Sequence, residues 1–125
     1  MDAVVAYLAA DGWEILSTAR TGEHGVDILA RRGERRLAVE AKGGGSARPS
    51  SRRFGQPFTS NQKRDHVAVA VLTALQVVSR GGHLAAIAFP DDPDHVQLIE
   101  TIRPALATAG VCVFLIAGER SVRQP

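Results

Sequence analysis

Three strand-like runs crowd the first 41 residues of the chain, and helical and strand-like patterns alternate after them. A short helical stripe from about Asp2, carrying Val4, Val5 and Leu8, stops at Gly12. The run Trp13–Ser17 follows, and then Val26–Ala30 and Leu37–Ala41 flank Arg31-Arg32-Gly33-Glu34-Arg35-Arg36. Gly33 in the first central position suits a two-residue type II′ turn, so these two runs read as a β-hairpin with basic ends. A helix is expected from about Asn61 to Ser79, capped by Thr59 or Ser60, with an apolar stripe of Val67, Val71, Leu75 and Val78. The run Leu84–Phe89, a helix from about Asp94 to Ala109 and the run Val111–Ala117 complete the series. Pro104 is expected to kink or split the second of these helices. The order α-β-β-β-α-β-α-β implies a mixed sheet flanked by helices.

Length and charge narrow the class further. One domain spanning residues 1–125 is expected, with a long basic loop at 43–60 and a tail at 118–125. Four glycines, four serines, two prolines and three arginines between Gly43 and Ser60 break every periodic pattern. No apolar run approaches the roughly 18 residues of a membrane span, so a soluble, cytoplasmic protein is the expectation. The lone Cys112 excludes an intramolecular disulfide and, among apolar neighbours, reads as a core residue. Net charge is +2, but Arg20 to Arg64 holds eleven basic residues against four acids. That asymmetry fits an anionic partner such as nucleic acid, or equally a solvated surface.

The chemistry is concentrated in Gly25-Val26-Asp27 and, after twelve intervening residues, Glu40-Ala41-Lys42. With Gly33 and Glu34 as the turn, cross-strand partners sum to 67 and Asp27 lies opposite Glu40. Facing carboxylates destabilise a ladder, more so beside apolar neighbours. A hard divalent cation between them makes the arrangement sensible, and Lys42, on the face of Glu40, would then stabilise an anionic transition state or position a water. On spacing alone another reading stands beside this: Asp27 merely starts a strand, and Glu40 pairs with Lys42 or a hairpin arginine at an exposed edge.

These residues resemble the PD-(D/E)XK nuclease superfamily, with Asp27 as the acid and Glu40-Ala41-Lys42 as (D/E)-x-K. Thr21-Gly22-Glu23-His24-Gly25-Val26-Asp27-Ile28-Leu29-Ala30 is similar to the glycine-rich lead-in of Mrr-like restriction endonucleases and Holliday-junction resolvases. Val26 stands where the motif names proline. The resemblance implies a restriction endonuclease-like αβββαβ core with a C-terminal αβ extension. It also implies a metal-dependent DNA endonuclease leaving a 5′-phosphate and a 3′-hydroxyl. Asp27, Glu40 and the Ala41 carbonyl would bind Mg²⁺ (with Mn²⁺ substituting), joined by Asp2 if it fills the role of the family's first-helix acid. Lys42 would assist catalysis. DNA as partner follows from the same resemblance; a homodimer is expected because so small a domain covers few base pairs and such relatives commonly pair, and a place in a larger DNA-processing or defence complex stays open.

Further candidates surround this set. Arg48, Arg52, Arg53, Lys63 and Arg64 are candidate phosphate contacts, and Glu14, Glu23 and Gln62 candidate supporting residues. Gln62 and His66 share a helix face, and His24 flanks the glycine turn. Two other classes remain open: a DNA-binding module of the same fold without turnover, and an interaction subunit whose Asp27 and Glu40 are surface acids. A Gly-x-Ser-x-Gly elbow, a P-loop and a dinucleotide fingerprint are all missing.

Overall fold

The computed structural model describes residues 2–19, 26–42, 59–118 and 121–125. The elements are α1 (Asp2–Ala10), β1 (Glu14–Thr18), β2 (Ile28–Arg32), β3 (Arg35–Ala41), α2 (Ser60–Arg80), β4 (Leu84–Pro90), α3 (Pro93–Ala109), β5 (Val111–Ala117) and β6 (Ser121–Arg123). The six strands form one sheet in chain order. β1, β2 and β3 are antiparallel, β3, β4 and β5 parallel, and β6 returns antiparallel to β5. This is the mixed, helix-flanked sheet expected from the element order.

Handedness then assigns the layers. β3, β4 and β5 step across the sheet in one direction, so right-handed crossovers place α2 and α3 on the same face. There Val67, Ala70, Ala74 and Val77 of α2 and Ile99 and Leu106 of α3 bury against Ala38, Ala85, Ile87 and Phe89. α1 covers the other face, where Val4 and Leu8 meet Ile28, Leu37, Val39 and Phe114. β3 and β4 are therefore covered on both sides, and β4 is apolar almost throughout.

Local chemistry explains the boundaries. Thr59 caps α2 through a capping box with Gln62. Asp92 caps α3 with Pro93 in the first turn. Gly33 sits at φ +64° while Glu34 has no positive φ, which is the type II′ pattern.

Four expectations need correction. The buried stripe of α2 is Val67, Ala70, Ala74 and Val77; Val71 and Val78 are half-buried and Leu75 is exposed. This helix is apolar almost all round from Val67 to Val78, so periodicity does not fix its phase, and alanines win the sheet side because they allow close approach. Pro104 does not split α3, which is one helix from Pro93 to Ala109. The 118–125 stretch carries β6, held in part by the Arg123–Asp91 pair at 2.7 and 3.0 Å. Cys112 is exposed, because it lies at the start of β5, ahead of the Phe114 position that α1 covers.

Candidate metal centre

The hairpin register builds the site. β2 and β3 pair from Ile28↔Val39 to Arg32↔Arg35, and Asp27, one residue ahead of that ladder, reaches the Glu40 side chain through a side-chain hydrogen bond. Asp27 is held on both sides. Its N–H donates to the Val39 carbonyl at 3.0 Å, and its own carbonyl accepts from the Ala19 N–H at 2.7 Å. Its Oδ2 accepts from the Ala41 N–H at 2.7 Å, which fixes the carboxylate at the end of β3. On the β4 side, the Lys42 N–H donates to the Ala88 carbonyl at 2.9 Å. Asp27 and the Glu40-Ala41-Lys42 segment are thus anchored by backbone on neighbouring strands.

The Asp27 carboxylate is close enough to oppose the ionisation of Glu40. Burial, the Asp27 charge and a side-chain hydrogen bond to Asp27 push Glu40 up to about 7, against a smaller opposing pull from Lys42. Lys42 Nζ lies 3.5 Å from Glu40 Oε1, and the Glu40 side chain is only 12% exposed. A lysine this near would ordinarily keep a carboxylate ionised. Here the second carboxylate and the loss of water outweigh it.

Beyond Lys42 lies a second cluster, at the N-terminal ends of α2 and α3. His66, on α2, is held below the usual histidine range by burial, by the Lys42 charge and by the neighbouring His95 ring, with Asp65 opposing. His95 is fully buried, stacks on Phe89 with ring centroids 5.3 Å apart, and places Nδ1 2.8 Å from Asp92 Oδ2. Its Nε2 has no hydrogen-bond partner among the described residues. Burial works against the Asp92 charge, but hydrogen bonds from the His95 backbone and ring, with the Lys63 charge, hold its pKa below the usual aspartate value. The Asp92–His95 pair is not among the candidates drawn from the sequence. Its signal was the capping position itself, an aspartate three residues before a histidine at the start of a helix.

The other candidates divide. Lys63 is 12% exposed and sits 3.4 Å from Asp92 and 3.3 Å from Asp94, so it ties α2 to α3 and is not presented to an anionic partner. Burial acts against its charge, and the two carboxylates more than compensate. Gln62 is occupied by the Thr59 cap and does not support the acid pair. Glu14 pairs with Arg31 at 2.7 Å, at the turn end of the hairpin, far along the ladder from Asp27. Asp2 opens α1 exposed to solvent, and no three His, Cys, Asp or Glu side chains converge among the described residues. The structure therefore groups Asp27 with Glu40 and leaves Asp2 out. Arg64 is exposed on α2. Glu23, His24, Arg48, Arg52 and Arg53 lie outside the described residues. No described helix is long and apolar enough to cross a membrane.

No family model matches the chain, and no curated protein does. Among solved structures, an XisH family protein from Nostoc punctiforme PCC 73102 superposes with a TM-score of 0.59 at 17% identity. That match covers 98% of this chain and 94% of the other. It extends over the whole mixed sheet and its helices and supports the restriction endonuclease-like fold. Pyrococcus furiosus SfsA, solved with Ca²⁺, matches at a TM-score of 0.45 and 16% identity, over 97% of this chain and 57% of that one.

Proposed function

We propose that the protein is a metal-dependent DNA endonuclease in which Asp27 and Glu40 hold the cation and Lys42 assists hydrolysis. The observation that carries this reading is the Asp27–Glu40 pair, two carboxyls facing each other at the end of a hairpin, with Glu40 held near pH 7 by burial and like charge. A purely structural pair has no reason to bear that cost, whereas a bound divalent cation reverses its sign. The donor types suit Mg²⁺ or Mn²⁺: the Asp27 and Glu40 carboxylates, with the Ala41 carbonyl, would hold a hard divalent cation through oxygen alone. When bound, such an ion supplies Lewis-acid polarisation of the phosphate and a more acidic water.

The residues of the chain do the rest. The Ala41 N–H fixes the Asp27 carboxylate, and Glu40 holds the Lys42 ammonium at the edge of the pair. From there Lys42 offers a positive charge to a pentacovalent phosphate. The glycine-rich lead-in before Asp27 is the ground for placing the chain nearest the Mrr-like enzymes and the Holliday-junction resolvases.

Labelled linear, nicked, flapped, four-way and single-stranded DNA incubated with Mg²⁺ or Mn²⁺ tests the proposal. Cleavage lost both with EDTA and with Lys42→Ala is expected. Binding on these substrates with no cleavage under any metal would replace the proposal with the non-catalytic DNA-binding module.

A further inference from the structure

Four arginines crowd the turn end of the same hairpin. Arg31 stands opposite Arg36, and Arg32 opposite Arg35. Two successive like-charge pairs destabilise a ladder, and the fold neutralises only one member of each. Arg31 has Glu14 at 2.7 Å, and Arg32 has Asp11 at 3.0 Å and lies over the Trp13 ring. Arg35 and Arg36 are exposed and have no acidic partner among the described residues.

Strand alternation then separates these two. Arg35 shares the α1 face with Leu37 and Val39, whereas Arg36 shares the α2 face with Ala38 and Glu40. On that α2 face lies a half-open cavity of about 310 Å³, floored by Val26, Leu29, Ala38 and Val77 and edged by Arg80 and His83. Arg80 ends α2, is exposed, and has no ion pair among the described residues. An apolar floor with a cationic edge suits a sugar-phosphate strand, with deoxyribose carbons on the floor and phosphates at the edge. Glu40 lies four residues along β3 from Arg36, about 14 Å, which is the axial rise of about four base pairs.

We propose that Arg36 and Arg80 form a phosphate-binding surface for the DNA strand, about four nucleotides from the acid pair. The inference rests on the nuclease reading for the identity of the ligand, and it gives the hairpin tip a function that its charge repulsion alone does not explain.

The test is fluorescence anisotropy of a labelled duplex in EDTA over a range of salt, with Arg36→Ala, Arg80→Ala and Arg35→Ala, followed by cleavage with metal. Each of the first two variants is expected to weaken binding about eightfold at 0.1 M salt and to lower the salt slope by about one. Arg35→Ala removes the same charge one residue away on the opposite face and is expected to bind within twofold of wild type. Melting temperature serves as the check on folding, and Arg36→Ala is expected to leave it unchanged or raised.

Equal effects of all three variants would overturn the surface in favour of diffuse charge. Cleavage by wild type that Arg36→Ala and Arg80→Ala leave untouched would overturn it while sparing the nuclease. Face-selective loss of binding with no metal-dependent cleavage would uphold the surface and defeat the nuclease. Absence of any binding by wild type would overturn both.

Discussion

Replacing Glu40 by glutamine isolates the conflict at the acid pair. In the folded chain Glu40 ionises near 7, against 4.5 for the free side chain, because burial and Asp27 favour its neutral form. The stabilising contribution is complete below pH 4.5 and is lost as pH rises through about 7, since the unfolded chain releases this proton earlier. That interval corresponds to about 3 kcal/mol. For 125 residues, at about 2.1 cal/mol/K each, it amounts to about 10 °C in melting temperature. The substituted amide stays neutral throughout. Glu40→Gln is therefore expected to melt with wild type near pH 4 and about 10 °C above it at pH 8.5, read by circular dichroism without divalent metal. His66 acts in the opposite direction: its lowered pKa gives stability that grows as pH rises towards 6.5. Comparing the two proteins at each pH cancels that contribution. A constant difference between pH 5 and 8.5, or a variant less stable than wild type at pH 8.5, would refute the reasoning. Manganese extends the test, because it should restore wild type at pH 8.5 by about 3 kcal/mol at a hundredfold excess over its Kd and leave the variant unmoved.

Asp27→Ala removes the acceptor for the Ala41 N–H; the relief of Glu40 partly offsets that loss, so urea unfolding at pH 5 should show a deficit of about 1 kcal/mol that shrinks by pH 8.5. Lys63→Met deprives Asp92 and Asp94 of their shared cation and should cost about 2 kcal/mol in the same assay, since one partner is well exposed. The same variant should leave DNA binding unchanged, in contrast to Arg36→Ala. Thr59→Ala should cost about 1 kcal/mol through loss of the capping box. Gly33→Ala has open space for its Cβ but must hold a φ of +64°, which should cost about 1 kcal/mol, seen as a lower melting temperature.

The elements were legible where a local rule fixes them. A glycine turn sets the register of the hairpin from Ile28↔Val39 to Arg32↔Arg35 and so brings Asp27 and Glu40 to its open end, where their side chains meet just beyond the ladder. Element order sets the mixed sheet. What stayed hidden depends on neighbours distant in the chain. The phase of α2 is decided by which side chains fit against Ala38 and Ala85, not by an apolar pattern that runs nearly all round. Cys112 looks interior in a run of apolar residues, yet its exposure is set by where α1 lies. Lys63 has the composition of a phosphate contact and becomes an internal tie only because α3 brings Asp92 and Asp94 beside it. The Asp92–His95 pair is short-range, but its position behind Lys42 depends on β4 and α3 packing as they do.

One device recurs at both ends of the hairpin. A two-residue turn gives every pair from Ile28↔Val39 to Arg32↔Arg35 a sum of 67, which sets guanidinium against guanidinium at the turn, and just past the open end Asp27 meets Glu40 side chain to side chain. Local repulsion of this kind lowers stability, and the fold answers it unevenly. At the turn, Glu14 and Asp11 each neutralise one arginine and leave Arg35 and Arg36 exposed. At the open end, the Ala41 N–H and Lys42 hold the acids in place while burial keeps Glu40 from ionising below about 7. The charge left unanswered is cationic at one end and, at alkaline pH, anionic at the other. A phosphodiester strand with its metal ion carries the complementary charges in that order: bare phosphate for the turn, cation for the acids. Reversing one end alone should therefore separate the two functions. Arg36→Glu should depress DNA binding more than Arg36→Ala does while leaving the manganese-dependent rise in melting temperature intact, and loss of that rise would show the two ends to be coupled.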